Sequence, residues 1–388
     1  MGVPRKRIVV LGSTGSIGRS VLDVAARLPE SFEIVGLSAL TNGRLLSEQA
    51  TRFGVRRVAF GGPPQAATFG PGVVVRSGPS ALEAMAADPD ADLVVNALVG
   101  ASGLRPTAAA LRAGKRVALA NKESLVMAGE IVTRLAAESG AEIVPVDSEH
   151  SAILRCLRAA AAGEAAGLVL TASGGPLRDL PLAEMEAARV PDVLAHPTWS
   201  MGAKVTVDSA TLMNKAMEVV EARWLFGVPL DDIEVVVHRQ SIVHSFVRLR
   251  DGSLIAHLGD PDMRVPIQFA MCYPDAPALP FVRSRPETFG SLSFEPVDPR
   301  RYPCFGLMIG AARDGGTAPA VAAGADEVAV AEFIAGRIRL TDIARVVEGT
   351  LARVEAGAAD SLESVIDADL RARAVAGELV LGIERLVA

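Results

Sequence analysis

The sequence contains few cysteines and few aromatic residues. Among 388 residues there are three cysteines, and Phe, Trp and Tyr together make up 4%. The cysteines lie far apart, without the short spacing of a zinc-binding motif, so neither a disulfide framework nor a structural zinc ion is expected. Scarce aromatic side chains leave few surfaces on which the bases of a single-stranded nucleic acid can stack. An odd number of cysteines is typical of a reducing compartment, and we expect a cytoplasmic protein.

Long apolar runs and blocks of basic residues are also missing. No uninterrupted apolar run reaches about 18 residues, which argues against a membrane-spanning helix. The first apolar run is too short for the core of a signal peptide. Lys and Arg number 39 against 45 Asp and Glu, which gives a net charge of −6 without a basic tail. Neither a membrane nor a nucleic acid is therefore expected as a partner.

The first part of the chain alternates short β-branched runs with helix-like stretches. Such a rhythm predicts an α/β fold with a parallel sheet that helices cover on both faces. The predicted strands are Ile8–Leu11, Phe32–Leu37, Val55–Phe60, Val73–Arg76, Leu93–Ala97, Arg116–Ala120 and Ile143–Pro145.

The pattern changes three times along the chain, and we predict four parts. Residues 1–146 form a Rossmann-like parallel-sheet domain. Residues 147–272 form an α+β domain with an antiparallel element, in which Asp251 and Gly252 make a hairpin turn. Residues 273–303 are rich in proline and predict an extended linker. Residues 304–388 predict a helical domain.

A glycine-rich turn follows the first predicted strand. Its sequence is Gly12-Ser13-Thr14-Gly15-Ser16-Ile17-Gly18, and a helix-like stretch comes next. Glycines allow a tight turn and a close approach of the backbone, and the helix N-terminus offers free N–H groups to a pyrophosphate. The turn therefore favours dinucleotide binding, although a purely structural turn is the alternative.

The end of the second predicted strand carries information on the type of dinucleotide. An NAD enzyme usually has an acidic residue there for the ribose hydroxyls. Here no acid occurs before Glu48, and Arg44 lies nearby. A missing carboxylate beside an arginine favours the 2′-phosphate of NADP. The alternative is that Arg44 only starts a solvent-exposed helix.

Charged side chains follow two further strands of the predicted parallel sheet. Lys122 follows one, and Asp147 and Glu149 follow the next. In an extended segment, positions i and i+2 point the same way, so the two acids can converge on one hard cation. The alternatives are two solvated acids in a turn and, for the neighbouring Asn121, a helix cap.

A helix after Val207 carries a second polar group. Asp208 or Ser209 is expected to cap its start, and Gly227 to end it. Its apolar positions fall on one face, and another face carries Thr211, Asn214, Lys215 and Glu218. This second face is either a solvent-exposed surface with a Lys215–Glu218 ion pair or the wall of a site for an anion and a metal.

Two loops complete the candidate site. Ser173-Gly174-Gly175-Pro176 follows a predicted strand and suits a phosphate, because it offers a hydroxyl and exposed amides. The second loop, from His196 to Gly202, contains Trp199 and Met201 between a proline and a glycine. It predicts either a lid that excludes water or a plug of a hydrophobic core.

In this order, the motifs resemble those of the 1-deoxy-D-xylulose 5-phosphate reductoisomerase family over essentially the whole chain. The strings that carry the resemblance are LGSTGSIG, LANKESLV, PVDSEH, SGGP, HPTWSMG, VDSATLMNKAMEVVEARWLF, GDPDMRVPI and RRYPC. The resemblance implies a V-shaped homodimer, NADPH as cofactor, Mg²⁺ or Mn²⁺ as metal, and a sugar phosphate as substrate.

The resemblance also implies residue roles. The implied metal ligands are Asp147, Glu149 and Glu218, and the implied catalytic residues are Lys122, Glu149 and Glu218. Substrate contacts are implied for Lys122, Ser148, Glu149, Ser173, His196, Ser209, Asn214, Lys215 and Glu218, of which His196 lies on a flap with Trp199 and Met201. Cofactor contacts are implied for Gly12, Thr14, Gly15, Ser16, Ile17, Gly18, Leu40, Thr41, Asn42, Asn121, Glu123 and Gly202. Relatives often carry a basic residue where this chain has Thr41, so Arg44 is the remaining candidate for the 2′-phosphate.

The expected reaction is the rearrangement and NADPH-dependent reduction of 1-deoxy-D-xylulose 5-phosphate to 2-C-methyl-D-erythritol 4-phosphate, in which the cation acts as a Lewis acid. Two other functions fit the glycine turn alone. One is a metal-independent sugar or semialdehyde dehydrogenase that uses NADP. The other is a non-catalytic NADP sensor.

Overall fold

A computed structural model describes residues 5–61, 68–199, 201–279 and 282–387. The chain forms two compact units. The first unit comprises Met1–Ser124, Val132–Ser151 and Asp262–Val282, and the second comprises Leu125–Ile131, Ala152–Pro261 and Arg283–Ala388. The four-part division made from the sequence stays a prediction.

A seven-stranded parallel sheet forms the core of the first unit, in the order β4-β3-β2-β1-β5-β6-β7. The strands are β1 (Lys6–Leu11), β2 (Phe32–Ala39), β3 (Arg57–Phe60), β4 (Val74–Arg76), β5 (Leu93–Asn96), β6 (Arg116–Leu119) and β7 (Ile143–Pro145). Four consecutive residues of β1, Ile8 to Leu11, are 0% exposed, because helices cover both faces of the sheet. The predicted parallel sheet is confirmed.

Most of these strands are connected by helices, namely α1 (Ser16–Arg27), α2 (Gly43–Phe53), α3 (Pro79–Ala86), α4 (Leu104–Arg112) and α5 (Glu123–Ser139). Helix α10 (Arg264–Cys272) comes later in the chain and packs against α1, β6 and β7. The strand order reverses between β1 and β5, and in sheets of this kind ligands bind outside the carboxyl ends of the strands at that point. The glycine turn lies there, directly after β1.

A five-stranded sheet organises the second unit, in the order β11-β10-β8-β9-β12. Its strands are β8 (Ala165–Ala172), β9 (Ile233–Val237), β10 (Val243–Leu249), β11 (Leu254–Leu258) and β12 (Glu295–Pro296). Strands β10 and β11 pair antiparallel across the turn at Asp251 and Gly252, as predicted. Strand β12 lies within the proline-rich segment and pairs with β9 at the sheet edge, where a proline costs no ladder hydrogen bond.

The remaining helices are α6 (Ser148–Ala159), α7 (Val190–Leu194), α8 (Ala203–Thr211), α9 (Met213–Phe226), α11 (Pro303–Asp314), α12 (Ala318–Ile334), α13 (Asp342–Arg353) and α14 (Leu362–Val387). The predicted helical character of the chain after Cys304 is therefore confirmed. Among the described residues, no helix has the length and hydropathy that crossing a bilayer requires.

One predicted helix is in fact two. Helix α8 ends at Thr211, Leu212 adopts a left-handed conformation with φ of 55°, and α9 begins at Met213. Asp208 and Ser209 consequently lie inside α8 rather than capping the start of a longer helix, whereas Gly227 ends α9 as predicted. A left-handed leucine is unfavourable by about 1 kcal/mol or more. Leu212 adopts it while 1% exposed, in a cluster with Ala172 and Tyr302.

Candidate active site

The glycine turn brings the backbone closer to its neighbours than any side chain allows. Gly12 has φ of 78°, and a Cβ atom there would lie 2.5 Å from the carbonyl oxygen of Ala97. A Cβ atom on Gly18 would lie 2.3 Å from the carbonyl oxygen of Gly12. Gly15 and Ser16 remain exposed at the start of α1. The turn thus leaves the helix N-terminus accessible, which is the geometry that a pyrophosphate needs.

A side chain that the sequence did not single out supports this turn. The Ser13 hydroxyl is 0% exposed and donates to Gln49 Oε1 at 2.7 Å. Gln49 Nε2 in turn donates to the Ser13 carbonyl at 2.9 Å. Because both groups of the Gln49 amide are satisfied, Gln49 ties α2 to the turn. No local pattern marks a glutamine 36 positions away.

The loop after β2 is exposed. Leu40 is 70% exposed, Thr41 is exposed as well, and Asn42 Oδ1 accepts a hydrogen bond from the Leu45 amide at the start of α2. Arg44 is 89% exposed and lies 3.8 Å from Glu48. An ion pair this exposed holds its side chain weakly, so Arg44 is accessible to an anion while it also starts a helix.

Asn121 and Glu123 form a buried network at the end of β6. The Asn121 amide nitrogen donates to the carbonyls of Leu98 and Gly100 and to Glu123 Oε2, at 2.9 to 3.1 Å. Its Oδ1 atom accepts from the Ser124 amide at 3.2 Å, which is the capping contact considered from the sequence. Glu123 Oε1 accepts from the Gly100 amide. Both side chains therefore fix the loop after β5, beside the carboxyl end of β1.

Lys122 and Asp147 meet at the ends of β6 and β7. Lys122 Nζ lies 2.5 Å from Asp147 Oδ2, and the two side chains are 12% and 18% exposed. The Ser148 amide donates to the other Asp147 oxygen at 3.0 Å. The sequence did not predict this pair, because the two residues are 25 positions apart and adjacent strands bring them together.

Asp147 and Glu149 do not lie in an extended segment, so the predicted same-side arrangement of the two acids is wrong. The chain is not extended here, since α6 begins at Ser148, and positions i and i+2 of a helix point in different directions. His150, one turn on, instead offers a ring nitrogen within 4.8 Å of an Asp147 oxygen. Glu149 Oε2 accepts from the Ser148 hydroxyl at 2.5 Å. Asp147 and Glu149 still belong to one short segment, but a helix start orients them.

In the second unit, the loop after β8 and the loop before α8 are joined by a serine and a histidine. Ser173 Oγ lies 3.0 Å from His196 Nε2 and accepts from the Gly175 amide. His196 Nδ1 accepts from the amides of Thr198 and Trp199, at 3.2 and 2.9 Å. A ring nitrogen that accepts carries no proton, so Nε2 holds the hydrogen and donates to Ser173. Burial, together with the charge of Arg178, lowers the pKa of His196 to about 4 and keeps the ring neutral.

The loop after β8 also packs against α8. A Cβ atom on Gly175 would lie 2.5 Å from the carbonyl oxygen of Ser209. Gly175 therefore allows the loop that carries Ser173 to touch the helix that carries Ser209. Trp199 is partly exposed, with its ring 6.3 Å from that of His244, so it does not fill a closed core. Met201 is partly buried and Gly202 exposed, while Ser200 lies outside the described residues.

Helix α9 buries the polar face that the sequence marked. Lys215 Nζ donates to Glu218 Oε2, and Asn214 Nδ2 donates to Glu218 Oε1 at 2.5 Å. The Lys215 and Glu218 side chains are 4% and 2% exposed, so the solvent-face alternative was wrong. Thr211 belongs to the end of α8 instead, where its hydroxyl accepts from the Met213 amide.

These features define a class of protein. A dinucleotide-type glycine turn in the first unit, with acids and a lysine at strand ends, accompanies a buried carboxylate, a lysine and two serine-bearing segments in the second. They are typical of dinucleotide-binding oxidoreductases that also carry acidic side chains suited to bind a cation.

Comparison with known proteins identifies the family. Models described as 1-deoxy-D-xylulose 5-phosphate reductoisomerase, its C-terminal domain and the DXP reductoisomerase C-terminal domain match residues 8–129, 143–226 and 258–375. The enzyme of that name from Synechococcus sp. (strain JA-2-3B'a(2-13)) is 46% identical over 379 residues, which cover 96% of this chain and 97% of the relative. The chain belongs to the 1-deoxy-D-xylulose 5-phosphate reductoisomerase family.

Two solved structures agree with this assignment. The reductoisomerase from Zymomonas mobilis in complex with NADPH is 38% identical, with a TM-score of 0.88, and the match covers 97% of this chain and 99% of the other. A DOX-P reductoisomerase in complex with NADPH, fosmidomycin and magnesium is 36% identical, with a TM-score of 0.90 and coverage of 97% and 98%. The α/β fold class predicted from the sequence is confirmed.

Proposed function

We propose that this chain catalyses the NADPH- and divalent-metal-dependent conversion of 1-deoxy-D-xylulose 5-phosphate to 2-C-methyl-D-erythritol 4-phosphate, a step of isoprenoid biosynthesis. The observation that carries the proposal is the full-length match to reductoisomerases, including the structure that holds NADPH, fosmidomycin and magnesium. As a member of this family, the chain is an NADP-dependent oxidoreductase. Neither alternative function accounts for a match that extends over both units.

The glycine turn and the loop after β2 are the main parts of the proposed cofactor site. The close backbone approach at Gly12 and Gly18 fits a pyrophosphate at the N-terminus of α1, with Thr14, Gly15, Ser16 and Ile17 along the turn. Leu40, Thr41 and Asn42 are proposed to border the adenosine end, and Arg44 is the cation available to a 2′-phosphate. The remaining proposed contacts are Asn121, Glu123 and Gly202. Because Asn121 and Glu123 bond mainly to each other and to the loop after β5, their role is to hold that loop for the nicotinamide end.

The donor set fits a hard divalent cation. We propose Asp147, Glu149 and Glu218 as ligands, since carboxylate oxygens are what Mg²⁺ and Mn²⁺ prefer. When bound, the cation supplies Lewis-acid polarisation of the substrate's oxygens. Lys122 contacts one Asp147 oxygen, and Asn214 and Lys215 each donate to one Glu218 oxygen. These contacts orient the carboxylates for a cation.

The phosphate and the carbon chain of the substrate are proposed to contact different residues. For the phosphate, we propose contacts from the hydroxyls of Ser173 and Ser209, the amide of Asn214 and the buried ammonium of Lys215. Asn214 and Lys215 also bond to Glu218. Lys122 and Ser148 are proposed to contact the substrate's backbone oxygens.

The neutral His196 ring tethers the base of the flap to Ser173, and Trp199 and Met201 lie on that flap. Closure of this flap would exclude water while the aldehyde intermediate awaits reduction.

Three further features are proposed on sequence grounds. Family resemblance implies a homodimer, and the four-part domain division implies that residues 304–388 form a separate helical domain. The cysteine content favours the cytoplasm. Size-exclusion chromatography with light scattering tests the first, since a homodimer elutes with twice the mass of the 40.3 kDa chain.

The decisive experiment measures NADPH oxidation with 1-deoxy-D-xylulose 5-phosphate in EDTA and after addition of Mn²⁺. Oxidation that requires the metal supports the proposal. Oxidation that survives EDTA indicates the metal-independent dehydrogenase, and NADPH binding without turnover indicates the sensor.

Glu218→Gln sharpens the same test. It keeps the shape of the side chain but removes the ligand charge, so we expect a loss of turnover of about a hundredfold or more with NADPH affinity unchanged by fluorescence titration. Glu221→Gln, a substitution at an equally buried acid of α9, serves as the matched control and should retain the metal requirement. Near-normal activity of Glu218→Gln would refute the ligand assignment.

A further inference from the structure

A buried pair of carboxyl groups joins helix α8 to the C-terminal helices. Asp208 on α8 is 2% exposed, and Asp326 on α12 is 0% exposed. Lys204, one turn before Asp208, extends its ammonium to both: Nζ lies 2.5 Å from Asp208 Oδ2 and 3.1 Å from Asp326 Oδ2. All three residues belong to the second unit, and none has a role in the proposed reaction so far.

One ammonium does not balance two carboxylates. With all three groups charged, the cluster carries a net charge of −1 in a buried place, which is costly. The Oδ1 atoms of both aspartates are buried, and among the described residues no donor contacts either one. A proton on one Oδ1 atom removes the excess charge and supplies the missing donor, since a protonated carboxyl group donates to its neighbour.

The groups around the two aspartates favour the protonated form of one of them. Cys304 on α11 and Glu327 on α12 face the cluster, and neither brings a positive charge. Arg373 is engaged with Asp369 and Glu327. Burial, and next the charge of Asp326, raises the pKa of Asp208 to about 7, and burial likewise raises the pKa of Asp326.

The cluster of Lys204, Asp208 and Asp326 anchors α8, a helix that lies between the flap and the proposed phosphate contacts. Helix α8 begins directly after Gly202, at the end of the flap, and Ser209 follows Asp208 in its last turn. The helix also touches the Ser173 loop, at Gly175. The contact between Asp208 and Asp326 therefore acts on the same helix that carries Ser209 and that directly follows the flap.

We propose that Asp208 and Asp326 share one proton beneath Lys204, and that this cluster positions α8, and with it Ser209, for the phosphate of the substrate. The second half of the inference rests on the proposed function, because it takes Ser209 to be a phosphate contact. Asp208, Asp326 and Lys204 are positioning residues and do not touch the substrate.

The test compares the wild-type enzyme with Asp326→Asn between pH 6 and pH 8.5. An asparagine amide donates to Asp208 without needing a proton. Since a raised carboxyl pKa gives stability that is lost as pH rises through that pKa, the wild type should lose about 3 °C of Tm relative to the variant over this range. In parallel, the wild-type KM for 1-deoxy-D-xylulose 5-phosphate should rise about fivefold and that of the variant less than twofold, with similar kcat.

Two further variants complete the design. Asp342→Asn is the matched control: Asp342 is a 2% exposed aspartate in the same helical region, but Arg339 and Arg345 supply donors to both oxygens. Its Tm and KM profiles should parallel the wild type. Lys204→Met removes the ammonium that stabilises the charged carboxylates. The shared proton should then be lost at a higher pH, so the fall in Tm seen in the wild type should move to higher pH.

The two readouts separate the ways in which the inference can fail. A Tm difference between wild type and Asp326→Asn that is constant with pH would overturn the shared proton, whether or not the enzyme turns over this substrate. A pH-dependent Tm difference with parallel KM profiles would overturn the positioning of α8. Absence of any turnover by the wild type would overturn the proposed function, while the Tm series still decides on the proton.

Discussion

Two lysine–carboxylate pairs, one in each unit, arise in opposite ways. Lys122 and Asp147 are 25 positions apart, meet at the ends of adjacent strands, and keep 12% and 18% of their side chains exposed. Lys215 and Glu218 are three positions apart on α9 and keep only 4% and 2% exposed. The distant pair is the more hydrated one, and the local pair is the more deeply buried. The spacing of two charged residues along the chain therefore does not indicate how deeply their ion pair is buried.

The physical difference is solvation. A pair near water gains modest Coulomb energy, and either member can be rehydrated if the other is removed. A buried pair loses hydration on both members, and removal of one leaves a charge that water does not reach. Asn214 satisfies the second oxygen of Glu218, but an amide does not neutralise its charge. We therefore expect the two pairs to respond very differently to the same substitution.

The largest expected effect is that of Lys215→Met. It leaves the Glu218 carboxylate buried beside an uncharged side chain, so the free energy of unfolding should fall by about 3 to 5 kcal/mol. Urea denaturation in EDTA measures this without a bound cation. The double variant with Glu218→Gln removes both charges and should recover most of the loss, although not the activity. If the double variant is no more stable than the single one, lost packing rather than an unpaired charge is responsible.

A smaller effect is expected for Lys122→Met. The Asp147 carboxylate keeps the hydrogen bond from the Ser148 amide and is partly reached by water. The free energy of unfolding should therefore fall by about 1 kcal/mol, while the KM for the sugar phosphate rises. Lys115→Met is the matched control in the first unit, because Lys115 binds backbone carbonyls of residues 89 and 91 and no site residue. A loss as large as that of Lys215→Met would remove the contrast between the pairs.

The sequence predicted those features that depend on neighbouring residues. The seven strands of the parallel sheet, the glycine turn at its first strand and the hairpin at Gly252 all follow from patterns a few residues long. The same holds for the end of α9 at Gly227, where a left-handed residue is needed and glycine supplies it. For the candidate site, such local patterns located Lys122, Asp147, Ser173 and Lys215 on the correct segments.

The missed features depend on tertiary contacts. The break at Leu212 has no sequence sign, because a leucine is left-handed only where the surrounding core imposes it. Burial of Lys215 and Glu218 likewise depends on the tertiary packing around α9, which their spacing of three residues does not predict. The Gln49 support of the glycine turn also bridges distant segments.

The smallest expected effect, and the sharpest test of the comparison, is the response of each pair to salt. Coupling energies come from double-mutant cycles of Lys122→Met with Asp147→Asn, and of Lys215→Met with Glu218→Gln, in EDTA at 0.05 and 1 M KCl. Screening at about 1 M acts over roughly 3 Å and reaches charges that contact water, so the Lys122–Asp147 coupling should fall by a few tenths of a kcal/mol. The Lys215–Glu218 coupling should stay constant, because ions do not enter the space around a pair this buried. An equal decrease in both couplings would mean that water reaches α9 as easily as it reaches the strand ends, and that solvation does not distinguish the two pairs.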